Sequence, residues 1–397
     1  MPIKFIHIFD DDKFIDPTIK LFEEVIPHES IYYVNKLKNS DFKYVKSSNV
    51  IRVDLSIQQE KKDLLQFINS NKSHVVFLHA LESNKQNLVF EILPIIKKIW
   101  FIWGYDLYGN WSLLKQNIYE PNTQSLLNLK TDLKTKLIHN PFSFYLFQKR
   151  HLVKKISKKA YNILSNAFDT PFYRAAQLID YVVPVVPTEY QIIKKMNLPA
   201  QYAPFTYGCI EDLLGDKINE RVNNQPNILV GNSADPSNNH LEVFLELAKL
   251  DLQDRKVYVP LSYSGNSQYK EKVLQVGREL LGSNFYPLLD FMTLEEYNTI
   301  LLSCGTLIFN HVRQQGVGNI ITLGYLGATL FFNAKSPVYS YYQSLGIKIF
   351  KIDEITSQLS YKLNEQEISN NQTVLLDLYS RKAVHHKIKT LIQIVSD

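Results

Sequence analysis

Three short segments of the chain concentrate the residue types that chemistry on a phosphate ester or a hydroxyl requires. The first, Trp103-Gly104-Tyr105-Asp106-Leu107-Tyr108, follows an apolar run and sets a carboxylate among aromatic rings. A glycine lets the chain leave a strand sharply, and apolar surroundings raise a carboxyl group toward the range useful for a general base. An aspartate in that place can equally cap the helix that follows. The second segment, Leu229-Val230-Gly231-Asn232-Ser233-Ala234-Asp235-Pro236-Ser237-Asn238-Asn239-His240, leads from a strand through a Gly/Asn/Ser loop into a helix. Backbone N–H groups in such a loop can hold phosphate oxygens. Neither a Walker loop nor a dinucleotide fingerprint is present, so ordinary turn chemistry explains the loop as readily. The third, Phe309-Asn310-His311-Val312-Arg313-Gln314-Gln315-Gly316-Val317-Gly318-Asn319, again follows a strand. Arg313 offers a planar cation to a diphosphate, and Gly316 and Gly318 permit close approach of the backbone.

Weaker candidates surround these. His79 closes the apolar run 74–79 and is a second choice for a base, against the plainer reading of a buried, satisfied histidine. Tyr286-Pro287-Leu288 offers main-chain groups to a nucleotide base. Asp10-Asp11-Asp12 is the nearest approach to a metal-binding carboxylate cluster, but its context does not compel a metal and none is expected. Cys209 and Cys304 match no disulfide or metal spacing and read as small buried hydrophobes.

The elements that position these segments alternate regularly. Strands are expected at 3–9, 30–34, 50–54, 74–79, 99–103 and 181–186, with helices at 17–26, 58–70, 85–97 and 189–196, the last capped by Thr188. A second series places strands near 227–230, 256–260, 284–288, 306–310, 328–332 and 347–350. Such alternation predicts parallel sheets with helices on both faces, an α/β class. The polar stretch 211–226, with Asn223-Asn224-Gln225-Pro226, reads as a linker between an N-terminal domain at 1–210 and a C-terminal domain at 227–397.

Residues 110–170 break the alternation and read as a helical, basic insertion in the first domain. Within it Lys149, Arg150, Lys154, Lys155, Lys158 and Lys159 interleave with Leu152, Val153, Ile156, Ala160 and Ile163. The spacing predicts one helix lying in the plane of an anionic membrane surface, with a solvated helix face as the alternative.

The chain has 397 residues, of which 45% are hydrophobic and 21% charged, enough apolar material for two domains and far from a disordered composition. No apolar run reaches the roughly 20 residues of a membrane-spanning helix, and the N-terminus lacks the pattern of a secretion signal. A cytoplasmic protein touching the membrane peripherally is therefore expected. A net charge of +5 is modest, and the basic aromatic residues are confined to one segment, so nucleic acid is not an expected partner.

The three segments, in their order and spacing, resemble the marker segments of the 4-alpha-L-fucosyltransferase family, glycosyltransferase family 56. Ile6-His7, Phe77-Leu78-His79 and Val259-Pro260-Leu261-Ser262-Tyr263 add weaker likeness. The resemblance implies a GT-B fold of two Rossmann-like domains facing a cleft. It also implies transfer of a sugar such as 4-acetamido-4,6-dideoxygalactose from a nucleotide diphosphate to a polyprenyl-diphosphate-linked or other surface-glycan acceptor at the cytoplasmic face of the inner membrane. On that model Gly231, Asn232, Ser233, Asp235, Asn238, Tyr286, Arg313, Gln314, Gln315, Gly316, Gly318 and Asn319 bind the donor without metal or cofactor, and Asp106 or His79 serves as base. The longer, more basic 110–170 region and the acidic loop at 10–12 depart from the family pattern. The alternatives are a non-catalytic nucleotide-sugar or nucleic-acid binding protein, and a GT-B epimerase or phosphorylase.

Overall fold

Strands buried on both faces need nearly continuous apolar runs. Such runs organise the computed structural model, which describes residues 4–110, 117–127, 136 and 140–396. The first sheet is built from β1 (Phe5–Asp10), β2 (Ser30–Asn35), β3 (Ile51–Val53), β4 (Val75–His79), β5 (Lys97–Phe101), β6 (Tyr181–Val183) and β7 (Gln201–Tyr202). Their order is β3-β2-β1-β4-β5-β6-β7 and every pairing is parallel. The second contains β8 (Asn227–Val230), β9 (Val257–Pro260), β10 (Phe285–Leu288), β11 (Cys304–Phe309), β12 (Thr329–Phe332) and β13 (Phe350–Lys351). It runs β10-β9-β8-β11-β12-β13, again all parallel. The central strands β4 and β11 are buried at every residue.

In both sheets the strand order reverses beside the first strand, between β1 and β4 and between β8 and β11. Doubly wound sheets hold their ligands at such a switch point, beyond the carboxyl ends of the strands. The topology thus singles out four loops. They follow Asp10, His79, Val230 and Phe309.

The chain groups into two compact units that are not contiguous halves. The first holds residues 1–116, 131–208 and 382–397, and the second holds 117–130 and 209–381. Two segments therefore lie apart from the sequence-based division. The helix Pro121–Leu126, inside the expected N-terminal insertion, belongs to the second unit, where Thr123 donates from N and Oγ1 to Glu242, both at 2.9 Å. The chain's end belongs to the first unit, where Lys387 Nζ donates to Thr206 Oγ1 at 2.8 Å and His385 Nε2 stands 2.7 Å from Glu24 Oε2.

Several local expectations are also corrected. Residues 211–226 are not a plain linker, since a helix (Ile210–Leu214) and a 3-10 turn (Gly215–Asn219) occupy their start. Thr188 does not cap a helix. It sits inside the 3-10 turn Pro187–Glu189, and the helix Tyr190–Lys195 follows directly. The helix expected at 85–97 is Ser83–Val89, because residues from Lys97 join β5. β6 stops at Val183, where Pro184 brings no N–H to the ladder. The basic stretch is two helices, Arg150–Ile156 and Lys158–Phe168, because Ser157 takes an extended backbone and its Oγ accepts from Ala160 N at 3.2 Å. Residues 111–116, 128–135 and 137–139 of the expected insertion, and Ile3 of the first expected strand, lie outside the described residues.

Candidate functional site

In the second unit, the loops after β8 and β11 are knitted into one polar platform at the switch point. Asn238 is its hub. Its Oδ1 accepts from Asn232 N and from His311 Nε2, both at 2.8 Å, while its Nδ2 donates to Asp235 O at 2.8 Å and Ser233 Oγ at 3.2 Å. This network fixes the proton of His311 on Nε2. Burial, with Arg313 and His240 nearby, holds His311 well below its ordinary pKa, so the ring is neutral. Gly231 must be glycine. Its φ is +68°, and a Cβ there would lie 2.6 Å from Asn238 Oδ1 and 2.8 Å from His240 Nε2.

Arg313 reaches this platform from the β11 loop. Its Nε donates to Ser237 Oγ at 2.8 Å, and Nη2 stands 3.7 Å from Asp235 Oδ1. Ser237 Oγ lies 2.5 Å from Asp235 Oδ1 and 2.9 Å from Gln315 Oε1. Gln315 Nε2 donates to Asn232 Oδ1 at 2.8 Å and to Ser233 Oγ at 3.1 Å. These contacts leave guanidinium N–H groups of Arg313 without a partner among the described residues. They border a small cleft shared with Phe309, His311, Gln315, Phe332 and Ser336. Gly316, at φ +65°, turns the chain into the helix Val317–Tyr325, whose first turn carries Gly318 and Asn319. A buried cation beside a helix N-terminus is a fit for phosphate oxygens.

The structure therefore brings together Gly231, Asn232, Ser233, Asp235, Asn238, Arg313, Gln315 and Gly316. Gln314 is buried in the same loop, with Oε1 unpartnered among the described residues. Gly318 is exposed with open space around its Cα, and Asn319 Nδ2 donates to Tyr297 Oη at 2.8 Å. The Tyr286 ring packs 5.8 Å from Tyr258, with Lys256 Nζ over it at 4.8 Å. Sequence reasoning missed Ser237, His240 and His311 as parts of the network, although all three lie inside or beside the quoted segments. It also missed Asn239 and the segment from Asn117. Asn239 Oδ1 accepts from Glu120 N at 2.8 Å, and Glu120 Oε1 accepts from Asn333 Nδ2 and Lys335 Nζ, both at 2.9 Å. No local pattern in 117–127 announces that placement.

In the first unit both expected bases are enclosed. Asp106 is 5% exposed, and its carboxylate accepts from Leu81 N at 2.9 Å, Trp100 Nε1 at 2.6 Å, Trp103 N at 3.0 Å and Leu107 N at 3.1 Å. Burial raises its pKa against the pull of those donors. His79 is fully buried, with Nδ1 2.7 Å from Tyr207 Oη and Nε2 3.0 Å from His7 Nδ1. Burial also holds both histidines well below their ordinary pKa. The acidic loop is mostly consumed as well. Asp10 accepts from Asn35 Nδ2 at 2.6 Å and pairs with Lys85, while Asp11 accepts from Lys36 Nζ and the N–H groups of Lys43, Tyr44 and Val45. Among the described residues no group of three or more His, Cys, Asp or Glu is arranged to hold a metal ion.

Residues 194–385 match the family model described as 4-alpha-L-fucosyltransferase, glycosyl transferase group 56. By this match the chain resembles a fucosyltransferase-like glycosyltransferase over just under half of its length. The matched span contains the Gly231 and Arg313 segments; the Asp106 segment precedes it. Its fold is that of GT-B glycosyltransferases. A sucrose-phosphate synthase from Thermosynechococcus elongatus superposes with a TM-score of 0.62 at 7% identity, covering 99% of both chains. HepE of Anabaena, in complex with UDP and glucose, gives 0.60 at 10% identity over 98% of this chain and 99% of its own. A glycosyltransferase from Rickettsia africae gives 0.60 at 10% identity over 99% and 98%.

Proposed function

We propose that this glycosyltransferase takes its sugar from a nucleoside diphosphate held on the β8 and β11 loops. The transferred group is a deoxyamino sugar such as 4-acetamido-4,6-dideoxygalactose, and the acceptor is a polyprenyl-diphosphate-linked or other surface glycan. The observation that carries the donor assignment is the buried guanidinium of Arg313, braced by Ser237 and Asp235 beside the N-terminus of Val317–Tyr325. Leaving-group charge develops on the diphosphate during transfer, and fixed N–H donors stabilise it without a metal. HepE of Anabaena, of similar fold, is known in complex with UDP and glucose, which supports a nucleoside diphosphate sugar as donor.

The acceptor's lipid would be met at the cytoplasmic face of the inner membrane by the helices 141–168. Among the described residues no helix is long and apolar enough to cross a membrane. Instead Phe142, Tyr145, Leu152 and Ile156 are exposed at 63%, 54%, 48% and 88%, beside exposed Lys149, Lys154, Lys155, Lys158 and Lys159. Apolar side chains with flanking cations suit an anionic leaflet. Arg150 is less available, since its guanidinium lies over the Phe147 ring at 4.5 Å.

Incubation with a panel of nucleotide sugars, read as release of nucleoside diphosphate with and without polyprenyl-linked glycans, tests the whole reading. Acceptor-dependent release from one donor is the expected result. Donor binding without release under any acceptor would favour a binding protein instead.

A further inference from the structure

With Asp106 and His79 enclosed, the first unit carries another carboxylate suited to an acceptor hydroxyl. Asp12 lies just past the end of β1, at the switch point of its sheet. Its Oδ1 accepts from Phe14 N at 3.0 Å and the backbone N–H of Lys13 also bonds the carboxylate, so, unlike those of Asp10 and Asp11, its hydrogen bonds among the described residues come from the two residues that follow it. Around it stands a rim of rings. Phe14 packs 5.9 Å from Trp103 and 5.8 Å from Tyr207, Trp103 packs 5.7 Å from Tyr207, and Phe14 is 41% exposed. Half-exposed aromatic faces beside a carboxylate are the ordinary means of holding a sugar ring, whose C–H face is apolar and whose edge is polar.

The hydrogen atoms of the neighbouring chain can be assigned. His7 Nε2 is buried without a partner among the described residues. A proton there would be a buried, unsatisfied donor, which costs about 1–3 kcal/mol, so the neutral ring carries its proton on Nδ1. It then donates to His79 Nε2, and His79 donates from Nδ1 to Tyr207 Oη. Trp103 Nε1 also donates to Tyr207 Oη, at 2.5 Å. Both lone pairs of that oxygen are thereby taken. The Tyr207 hydroxyl is left as a committed donor, and burial, with Asp12 and Asp106 nearby, keeps the phenol protonated.

We propose that Asp12 and Tyr207 form the acceptor-sugar subsite, with the Phe14 and Trp103 rings as its floor and Asp12 as the base. Tyr207 donates to an acceptor oxygen and orients the sugar. Asp12 accepts the proton of the attacking hydroxyl as its oxygen bonds to the anomeric carbon. The anomeric bond to the diphosphate breaks, its electron pair leaves with the nucleoside diphosphate, and Asp12 returns the proton to solvent. The assignment rests on the glycosyl-transfer reading above.

The test uses the full chain with the donor found in the panel and a set of free and alkyl-linked mono- and disaccharide acceptors. Asp12→Asn keeps an acceptor oxygen for Phe14 N, so folding is retained; transfer should fall at least 100-fold with nucleoside-diphosphate affinity within twofold of the parent. Tyr207→Phe should raise acceptor KM at least tenfold and leave donor KM unchanged. In Asp12→Ala, added formate should restore part of the rate, which a purely structural aspartate would not allow. Transfer by Asp12→Asn within threefold of the parent, or equal loss of diphosphate binding, overturns the proposal. Absence of transfer by the parent chain itself would instead strike the glycosyl-transfer reading.

Discussion

Trp100 donates its indole N–H to Asp106 Oδ2 at 2.6 Å, tying the middle of β5 to the helix that leaves it. Three backbone N–H groups, those of Leu81, Trp103 and Leu107, complete the carboxylate's partners. The aspartate thereby fixes the loop that carries Trp103, whose ring belongs to the proposed acceptor rim.

An amide at this position would turn two hydrogens toward donors. Asp106→Asn is therefore expected to lower stability by about 1–3 kcal/mol, the range for leaving buried donors unpaired. Urea denaturation measures it directly. Unchanged stability with transfer abolished would restore Asp106 as the base.

Arg313→Ala removes the buried cation of the donor platform. Nucleoside-diphosphate affinity should weaken and turnover should fall by about two orders of magnitude, as when a charge-assisted donor to a leaving group is lost. The described contacts of Arg313 are with Ser237 and Asp235 of the second unit, so binding of acceptor sugars should persist. Isothermal titration with UDP and other nucleoside diphosphates, beside a transfer assay, checks both halves; near-normal turnover in the folded variant would exclude this role.

Gly231→Ala tests the same platform sterically. The new Cβ would meet Asn238 Oδ1 and His240 Nε2 at a φ of +68°, so the hub must shift. Diphosphate binding should be lost together with part of the stability. Retained affinity would show that the loop can rearrange without the Asn238 hub.

Glu189 gives a pH prediction. It is fully buried, with Oε1 accepting from Tyr108 Oη at 3.0 Å and Oε2 from Val186 N at 3.2 Å. Burial dominates and pushes its pKa up from 4.5 to about 7. The folded state therefore holds the proton more tightly than the unfolded state. This contribution is complete below pH 4.5 and is lost as pH rises through 7, with a cost on the order of 3 kcal/mol above that. Glu189→Gln resembles the protonated form and lacks the titration. Its stability relative to the parent should rise between pH 5 and pH 8, read from denaturation midpoints. A difference independent of pH would show that Glu189 does not titrate in this window.

The two parallel sheets were legible because their central strands are unbroken apolar runs, as in Val75–His79 and Cys304–Phe309. The donor loops were legible for a related reason: they follow directly on β8 and β11, so sequence neighbours remain spatial neighbours. What long-range contact decides was not. Nothing local in the segment from Asn117 says that Glu120 will meet Asn239, Asn333 and Lys335. Asp106 looked presented because Gly104 marks a sharp turn, but Trp100 and Leu81, brought by β5 and the β4 loop, close over it. Asp12 went unsingled because three consecutive aspartates look alike until Lys85, Lys36 and the 43–45 backbone claim the other two.

The basic helices 150–168 supply the last prediction. Lys154, Lys155, Lys158 and Lys159 are exposed, and Leu152, Ile156 and Ile163 are exposed with them. A solvated helix would turn such apolar side chains inward, as Lys158–Phe168 does with Leu164, Ala167 and Phe168. Each cation near an anionic leaflet contributes about 1 kcal/mol, so replacing all four lysines with Gln should weaken binding to anionic liposomes by up to about a thousandfold at low salt. The parent's binding should itself fall steeply as salt rises. Transfer to a polyprenyl-linked acceptor in vesicles should slow, while transfer to a short water-soluble acceptor should not change. Ile156→Asp should weaken vesicle binding further by placing an anion where an apolar side chain is 88% exposed. Liposome flotation unchanged in the quadruple variant would remove these helices from the membrane contact.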